Sequence, residues 1–237
     1  MTRAAYVLQL GVVPYGDVLA LQRSLADAVS QGKLPDTVLL LEHPPVITLG
    51  RRAEPGELHV PEGAAVEIYE TNRGGKSTYH APGQLVCYPI LDLKRHGQDV
   101  RRYCRDLEQA LIRTLAAFGV DAKRIEGLTG IWLSPPPRKI ASIGVHISRW
   151  ITTHGYALNV DLDPAPFTDW ITACGLEDAA FTTIARELER PVTVDEVRPL
   201  ASAALAEVFQ LELEPLPADE GHGLWAQPTH AKLAAGR

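Results

Sequence analysis

Cysteine is scarce. The chain has three, Cys87, Cys104 and Cys174, an odd number, far apart and without a C-x-x-C pair. That pattern excludes a disulfide framework and a four-cysteine zinc site, and it fits a reducing compartment. The eight histidines include no H-E-x-x-H or comparable spacing, so no metal is expected. Apolar runs are short. None approaches the ~18 residues of a membrane-spanning helix, and residues 1–10 hold too brief an apolar stretch for a signal peptide, so a cytoplasmic protein outside any membrane is expected. Cations are in deficit, 23 Lys and Arg against 29 Asp and Glu for a formal charge of −6, which removes any sequence-wide attraction to nucleic acid. An anionic partner would need a local patch of cations.

What remains is an ordinary globular chain of 237 residues, 46% hydrophobic, able to bury roughly 70–75% of its unfolded surface. Apolar periodicity predicts three helices. One covers 17–30 with Val18, Leu21, Leu25 and Val29 on a single face; a second covers 100–118 with Tyr103, Leu107, Leu111 and Leu115 inward and Gly119 as its stop; a third begins at the capping box Thr193-x-x-Glu196. β-rich stretches predict strands over 6–10, 37–42, 46–49, 66–71, 84–89, 130–133, 140–147 and 151–160. The last two, parted only by Ser148-Arg149-Trp150, should form a hairpin. The expected fold is α/β (α+β): a mixed, largely antiparallel sheet with helices along one side. Residues 1–213 read as the domain and the Pro-, Gly- and Ala-rich 214–237 as a partly mobile extension.

Four segments could carry chemistry. Arg73-Gly74-Gly75-Lys76-Ser77-Thr78-Tyr79-His80-Ala81-Pro82-Gly83-Gln84 packs paired glycines, two cations, hydroxyls, a histidine and a Pro-Gly turn into twelve residues. Such a loop either cradles a ligand with its backbone or simply connects two strands. It is not a nucleotide phosphate loop, because G-x-x-x-x-G-K-[ST] needs glycine where Glu70 stands. Lys139 opens an apolar strand-like run through Ser142, Ile143 and Gly144, where it either snorkels or serves as an acid/base. His154, followed by Gly155, Tyr156 and Ala157, puts a polar ring and a glycine inside a strand, either a structural feature or a place of ligand approach. Cys174, before Gly175 and beyond a turn, is the best candidate nucleophile, although lone cysteines are more often inert; Cys87 and Cys104 fall on expected core faces.

Taken together, Leu41-Glu42-His43-Pro44-Pro45-Val46-Ile47-Thr48-Leu49-Gly50, the 73–84 segment running on to Tyr88-Pro89-Ile90, Lys139 to Gly144, His154 to Asn159 and Cys174-Gly175 resemble the lipoyl(octanoyl) transferases. The resemblance implies a fold like the catalytic domain of biotin and lipoate protein ligases. It implies Cys174 as the acylated nucleophile, Lys139 as the group that lowers its pKa, and no cofactor. It implies an acyl site lined by Arg73, Gly74, Gly75, Lys76, Ser77, Thr78, Tyr79 and His80, by Ser142, Ile143 and Gly144, and by Gly155, Tyr156 and Ala157, with His154 in support. The implied partners are octanoyl-acyl carrier protein as donor and the lipoyl domains of 2-oxoacid dehydrogenases and the glycine-cleavage H protein as acceptors, for a chain that acts as a monomer. Arg51, Arg52, Lys94, Arg95, Arg101, Arg102 and Arg105 could steer an acidic carrier if some share a face. Gly75, Gly83, Gly144 and Gly155 could leave room for the acyl chain. The chain departs from the family pattern at Ala81, where glycine is usual, and at Ala173, where proline is. Two other readings are an ATP-dependent lipoate or biotin-type ligase, which would not need Cys174, and a noncatalytic acyl-chain or lipoyl-domain binding module.

Overall fold

The computed structural model describes residues 2–172 and 180–217. Its elements run β1 (Arg3–Val12), α1 (Tyr15–Ser30), β2 (Asp36–Glu42), β3 (Val46–Leu49), β4 (Glu67–Glu70), β5 (Ser77–His80), β6 (Gln84–Ile90), α2 (Val100–Ala116), β7 (Lys123–Ile125), β8 (Leu128–Leu133), β9 (Arg138–Ser148), β10 (Ile151–Asn159), α3 (Pro166–Asp169), β11 (Ala180–Phe181), α4 (Ile184–Leu188), α5 (Val194–Phe209) and β12 (Leu211–Pro215). The main sheet is ordered β12-β1-β2-β6-β10-β9-β8-β7. It is parallel from β12 to β2 and antiparallel from β2 to β7, as the expected mixed sheet requires. β11 lies parallel to the first residues of β9, beyond the point where the β10 pairing ends at Ala141.

Helices cover both faces of this sheet, a correction to the one-sided arrangement expected. The reason lies in β2 and β6, which are apolar at successive positions. Val38 and Leu40 with Leu85 and Cys87 turn into the core under α2 and α5, while Leu39 and Leu41 with Val86 and Tyr88 turn toward Val18, Leu21 and Leu25 of α1. Period-2 alternation then buries both sides of a strand, the pattern of a central strand between two layers. The capping box at Thr193 and Glu196 is closed in both directions, and Asp99 caps α2 by accepting from Arg102 N. The β9–β10 hairpin turns on two residues, Arg149 at φ 50° and Trp150 at φ 71°, both left-handed as the tightest hairpin turns demand.

A second, three-stranded sheet of order β4-β3-β5 stands apart, with its own small core of Ile47, Tyr79, Leu162, Phe167 and Ile171. Part of the segment read as a loop is therefore strand β5. Its continuation is a type II turn, with Gln84 N donating to Ala81 O at 3.2 Å and Gly83 at φ +88°. Ala81 keeps an ordinary φ there, so its methyl group imposes no backbone strain where the family pattern has glycine. β12 runs to Pro215, and residues 218–237 lie outside the described residues. Among the described residues, no helix is long and apolar enough to cross a membrane.

The β6–β10 pairing depends on Gly155. A Cβ there would strike Cys87 O and come within 2.8 Å of Pro89 Cδ, so Gly155→Ala should lose roughly 2–3 kcal/mol of stability in urea unfolding. Gly11→Ala, with open space around its missing Cβ, should change stability by less than about 0.5 kcal/mol. Equal effects at the two positions would refute this packing argument.

Candidate active site

A cavity of about 380 Å³ opens where the two sheets meet, within the usual size range of small-molecule sites. The 73–76 segment forms one wall by bonding in two directions. Arg73 O and Gly75 O accept from Arg51 N and Arg52 N at 3.0 Å, and Gly74 N donates to Val145 O of β9 at 2.8 Å. Arg73 is almost wholly buried, and its guanidinium is held by Thr48: Nε donates to Oγ1 at 3.0 Å, and Nη2 donates to both Oγ1 and the carbonyl. Gly75 takes φ +88°, which suits glycine alone.

Of the four glycines expected to leave room for a chain, Gly83, Gly144 and Gly155 do not leave it empty. A Cβ on Gly144 would meet Gly74 O at 3.0 Å and Arg73 Cδ at 3.1 Å, one on Gly83 would meet Leu162 N at 2.8 Å, and one on Gly155 would strike Cys87 O. Their missing side chains admit neighbouring protein atoms, above all backbone, and it is this close approach that shapes the wall. Gly50, absent from the sequence-based site, does the same: its Cβ would sit 2.7 Å from Arg73 Nη1.

The other expected residues fall into place around the same space. Arg73, Gly74, Gly75, Lys76, Ser77, Thr78 and His80 line it from the small sheet; Lys139, Ser142, Ile143 and Gly144 line it from β9, and His154, Gly155, Tyr156 and Ala157 from β10. Tyr79 is the exception. Strand alternation turns its ring into the small core, edge-on to Phe167 and Trp170. Tyr15, Tyr88, Trp132 and Phe181 line the cavity too; of these four, Tyr88 alone falls in a segment that carries the resemblance, and nothing in the local sequence marks the other three.

Lys139 is 4% exposed, with Nζ 5.2 Å from the centre of the Trp132 ring. Its backbone pairs with Trp132 on β8 and with Phe181 on β11. A hydrogen-bond chain reaches it from the small sheet. His80 Nδ1 meets Gln84 Oε1 at 2.7 Å, Gln84 Nε2 donates to Asn159 Oδ1 at 2.9 Å, Asn159 Nδ2 donates to Thr182 O at 3.1 Å, and Thr182 N donates to Lys139 O at 3.0 Å. Because the Gln84 amide nitrogen is already donating, its oxygen accepts, and His80 carries its proton on Nδ1.

The buried histidines are neutral. Burial is the main cause of the low pKa at each: His43 falls to about 4, His80 to about 3 and His154 to about 3, with Arg73 adding to the last two. His43 donates from Nδ1 to Val13 O at 2.7 Å and so accepts at Nε2 from the Tyr88 hydroxyl at 2.9 Å.

The two described cysteines are poor nucleophiles. Burial pushes the Cys87 thiol up to about 12, and burial followed by Glu108 raises Cys104. Cys174, the expected nucleophile, and Ala173 fall in residues 173–179, outside the described residues. The chain on either side of that stretch is anchored. Thr172 N donates to Glu57 O at 2.9 Å and its hydroxyl meets His59 Nε2 at 3.1 Å; on the far side, Phe181 pairs with Lys139. Glu57 also receives Lys76 Nζ at 2.7 Å and Ser77 Oγ at 3.0 Å, which ties the cavity wall to the residue two places before Cys174. Burial alone would raise the Glu57 carboxyl, yet the bonds from Lys76 and Ser77 hold it below its usual range. No sequence motif pointed to Glu57.

The cations that could steer a carrier divide. Arg95, Arg102 and Arg105 pair with Asp92, Asp106 and Glu108. Arg52 lines the cavity, while Arg51 and Arg149 line a shallow groove with Val100, His146, Ile147 and Trp150 that shares Gly74 and Val145 with it.

With this geometry in hand, comparison with known proteins places the chain. It belongs to the lipoyl protein ligase A/B catalytic domain family, whose model matches residues 14–206. Within that class its relatives are octanoyltransferases: 46% identity over 215 residues with that of Chloroflexus aurantiacus, covering 89% of this chain and 96% of the relative, and 50% over 200 residues with that of Mycobacterium tuberculosis, covering 84% of each. The octanoyltransferase of Geobacter sulfurreducens is 44% identical across 98% of this chain. The fold is similar to that of a lipoate-protein ligase A bound with ATP, at TM-score 0.74 and 15% identity over 93% of this chain and 92% of that one. It is also similar to a bipartite lipoate protein ligase of Thermoplasma acidophilum, at TM-score 0.69 and 14% identity over 93% and 90%. The family and the fold implied by the sequence motifs both hold.

The neutral histidines set a pH dependence. Their folded pKa values lie below the ordinary 6.5, so the unfolded chain binds more protons as the pH falls, and stability present above 6.5 is lost toward 4. The melting temperature should be level above about pH 6.5 and fall steadily from there to about pH 4. A level melting temperature across that interval would contradict three buried neutral imidazoles.

Proposed function

We propose that the chain transfers an octanoyl group from an acyl carrier thioester, through a thioester on Cys174, to the lysine of a lipoyl domain, the step that begins protein lipoylation. The observation that carries this reading is the burial of Lys139 in the cavity wall, paired with the strand that follows the stretch holding Cys174. The octanoyltransferase relatives, and the suppressed thiols of Cys87 and Cys104, support it.

In the first half-reaction the Cys174 thiolate attacks the donor carbonyl. The donor C–S bond breaks as the new one forms, and the leaving thiolate takes a proton from the Lys139 ammonium. In the second, the acceptor lysine amine attacks the acyl-cysteine, neutral Lys139 removes its proton, and the Cys174 thiolate departs. One thioester is exchanged for another, then for an amide, which is downhill. Burying six methylenes at ~0.8 kcal/mol each gives about 5 kcal/mol for holding the chain.

Intact-mass measurement after mixing with octanoyl carrier, without ATP, should find one added octanoyl group on the wild type and none on Cys174→Ala or Lys139→Met. A product that forms only with ATP and survives loss of Cys174 would instead establish a ligase, and saturable binding without covalent transfer would establish a binding module.

The groove beside the cavity suits an acidic carrier. Arg51 and Arg149 line it, and neither forms an ion pair among the described residues. Arg51→Glu with Arg149→Glu should cut carrier-dependent kcat/KM roughly fivefold at low salt, with the deficit shrinking at high salt. An unchanged rate at low salt would place docking elsewhere.

A further inference from the structure

The wall that holds Lys139 has a component that the reaction scheme leaves unused. Trp132 and Lys139 are partners across the β8–β9 ladder, and the lysine Nζ lies 5.2 Å from the ring centre. Trp132 is 1% exposed, and its indole N–H has no acceptor among the described residues. Gly130 prepares the same spot from the other side. It sits at φ +104°, and a Cβ on it would come within 2.8 Å of Lys139 Cε and 3.4 Å of Nζ. The same Cβ would strike Ala141 O of β9, so the bare position leaves room for both the β9 backbone and the lysine stem.

An aromatic face is an apt support for an ammonium that must act on a neighbour. It attracts the cation through its quadrupole without neutralising it or taking its N–H donors. A carboxylate in that place would compete with a thiolate for the same charge. We propose that Trp132 is a positioning residue: its ring, in the room left by Gly130, fixes the Lys139 ammonium at the cavity wall. The inference rests on the acyl-transfer reading, in which Lys139 gives and takes the proton.

The test compares Trp132→Leu, Trp132→Phe and Trp132→Tyr in steady-state transfer from octanoyl carrier, each checked for wild-type circular dichroism. Trp132→Leu should lower kcat about tenfold with donor KM within about twofold of wild type, since a cation–π contact is worth on that order. The Phe and Tyr variants, which keep a ring, should recover most of the loss. Wild-type kcat in Trp132→Leu overturns the proposal, and so does an equal loss in all three variants, which marks a plain packing defect. If Trp132→Leu does not fold, Trp132→Phe decides alone, and a loss as deep as that of Lys139→Met overturns the role. A wild type that takes up no octanoyl group overturns the acyl-transfer reading and this role with it, whereas a wild type that loads no faster than Trp132→Leu overturns the role alone.

Discussion

The site depends on one close approach: the backbone of residues 73–75 passes between the 50–52 segment and β9 with no side chain in the way. Gly50 and Gly144 are bare at the two contact points, and Gly74 N closes the gap by donating to Val145 O at 2.8 Å. That bond joins the small sheet to the large one, and the cavity is the space left between them. Arg73 completes the seam. Its guanidinium, buried against Thr48, satisfies several donors at once, without which a charge so far from water would be costly.

The interior electrostatics follow from the same enclosure. Burial keeps His43, His80 and His154 neutral, and Arg73 reinforces the effect at the last two. Neutral rings are the cheaper neighbours for an apolar chain, because an imidazolium in such a wall would demand a counter-charge. Lys139 sits against the Trp132 ring, whose quadrupole attracts a positive charge. A thiol brought close to it would gain acidity from that charge, while Cys87 and Cys104, set in apolar or acidic surroundings, lose it.

Much of this was legible in the sequence where the signal is local. The capping box at Thr193, the Pro82-Gly83 turn and the apolar face of α1 announce themselves within a few residues, and Arg73, Lys139 and His154 stand out as polar groups amid glycine or apolar runs. What the sequence concealed is set by pairing at a distance. β11 has two residues and β7 three, too few for periodicity to register, yet β11 supplies the partner of Lys139. Trp132 reads as core until the β8–β9 register puts its ring beneath a lysine, and Glu57 reads as surface charge until Lys76, Ser77 and Thr172 converge on it. The resemblance implies Tyr79 in the cavity, but its ring packs into the small core against Phe167 and Trp170.

The central claim is that Lys139 governs the reactivity of Cys174, and the pH dependence of alkylation tests it most directly. Iodoacetamide labelling, read at the Cys174 peptide, should be rapid at neutral pH in the wild type. In Lys139→Met it should slow by at least about tenfold, with its midpoint moving up toward the ~8.5 of a free thiol. Identical labelling profiles in the two proteins would contradict the account.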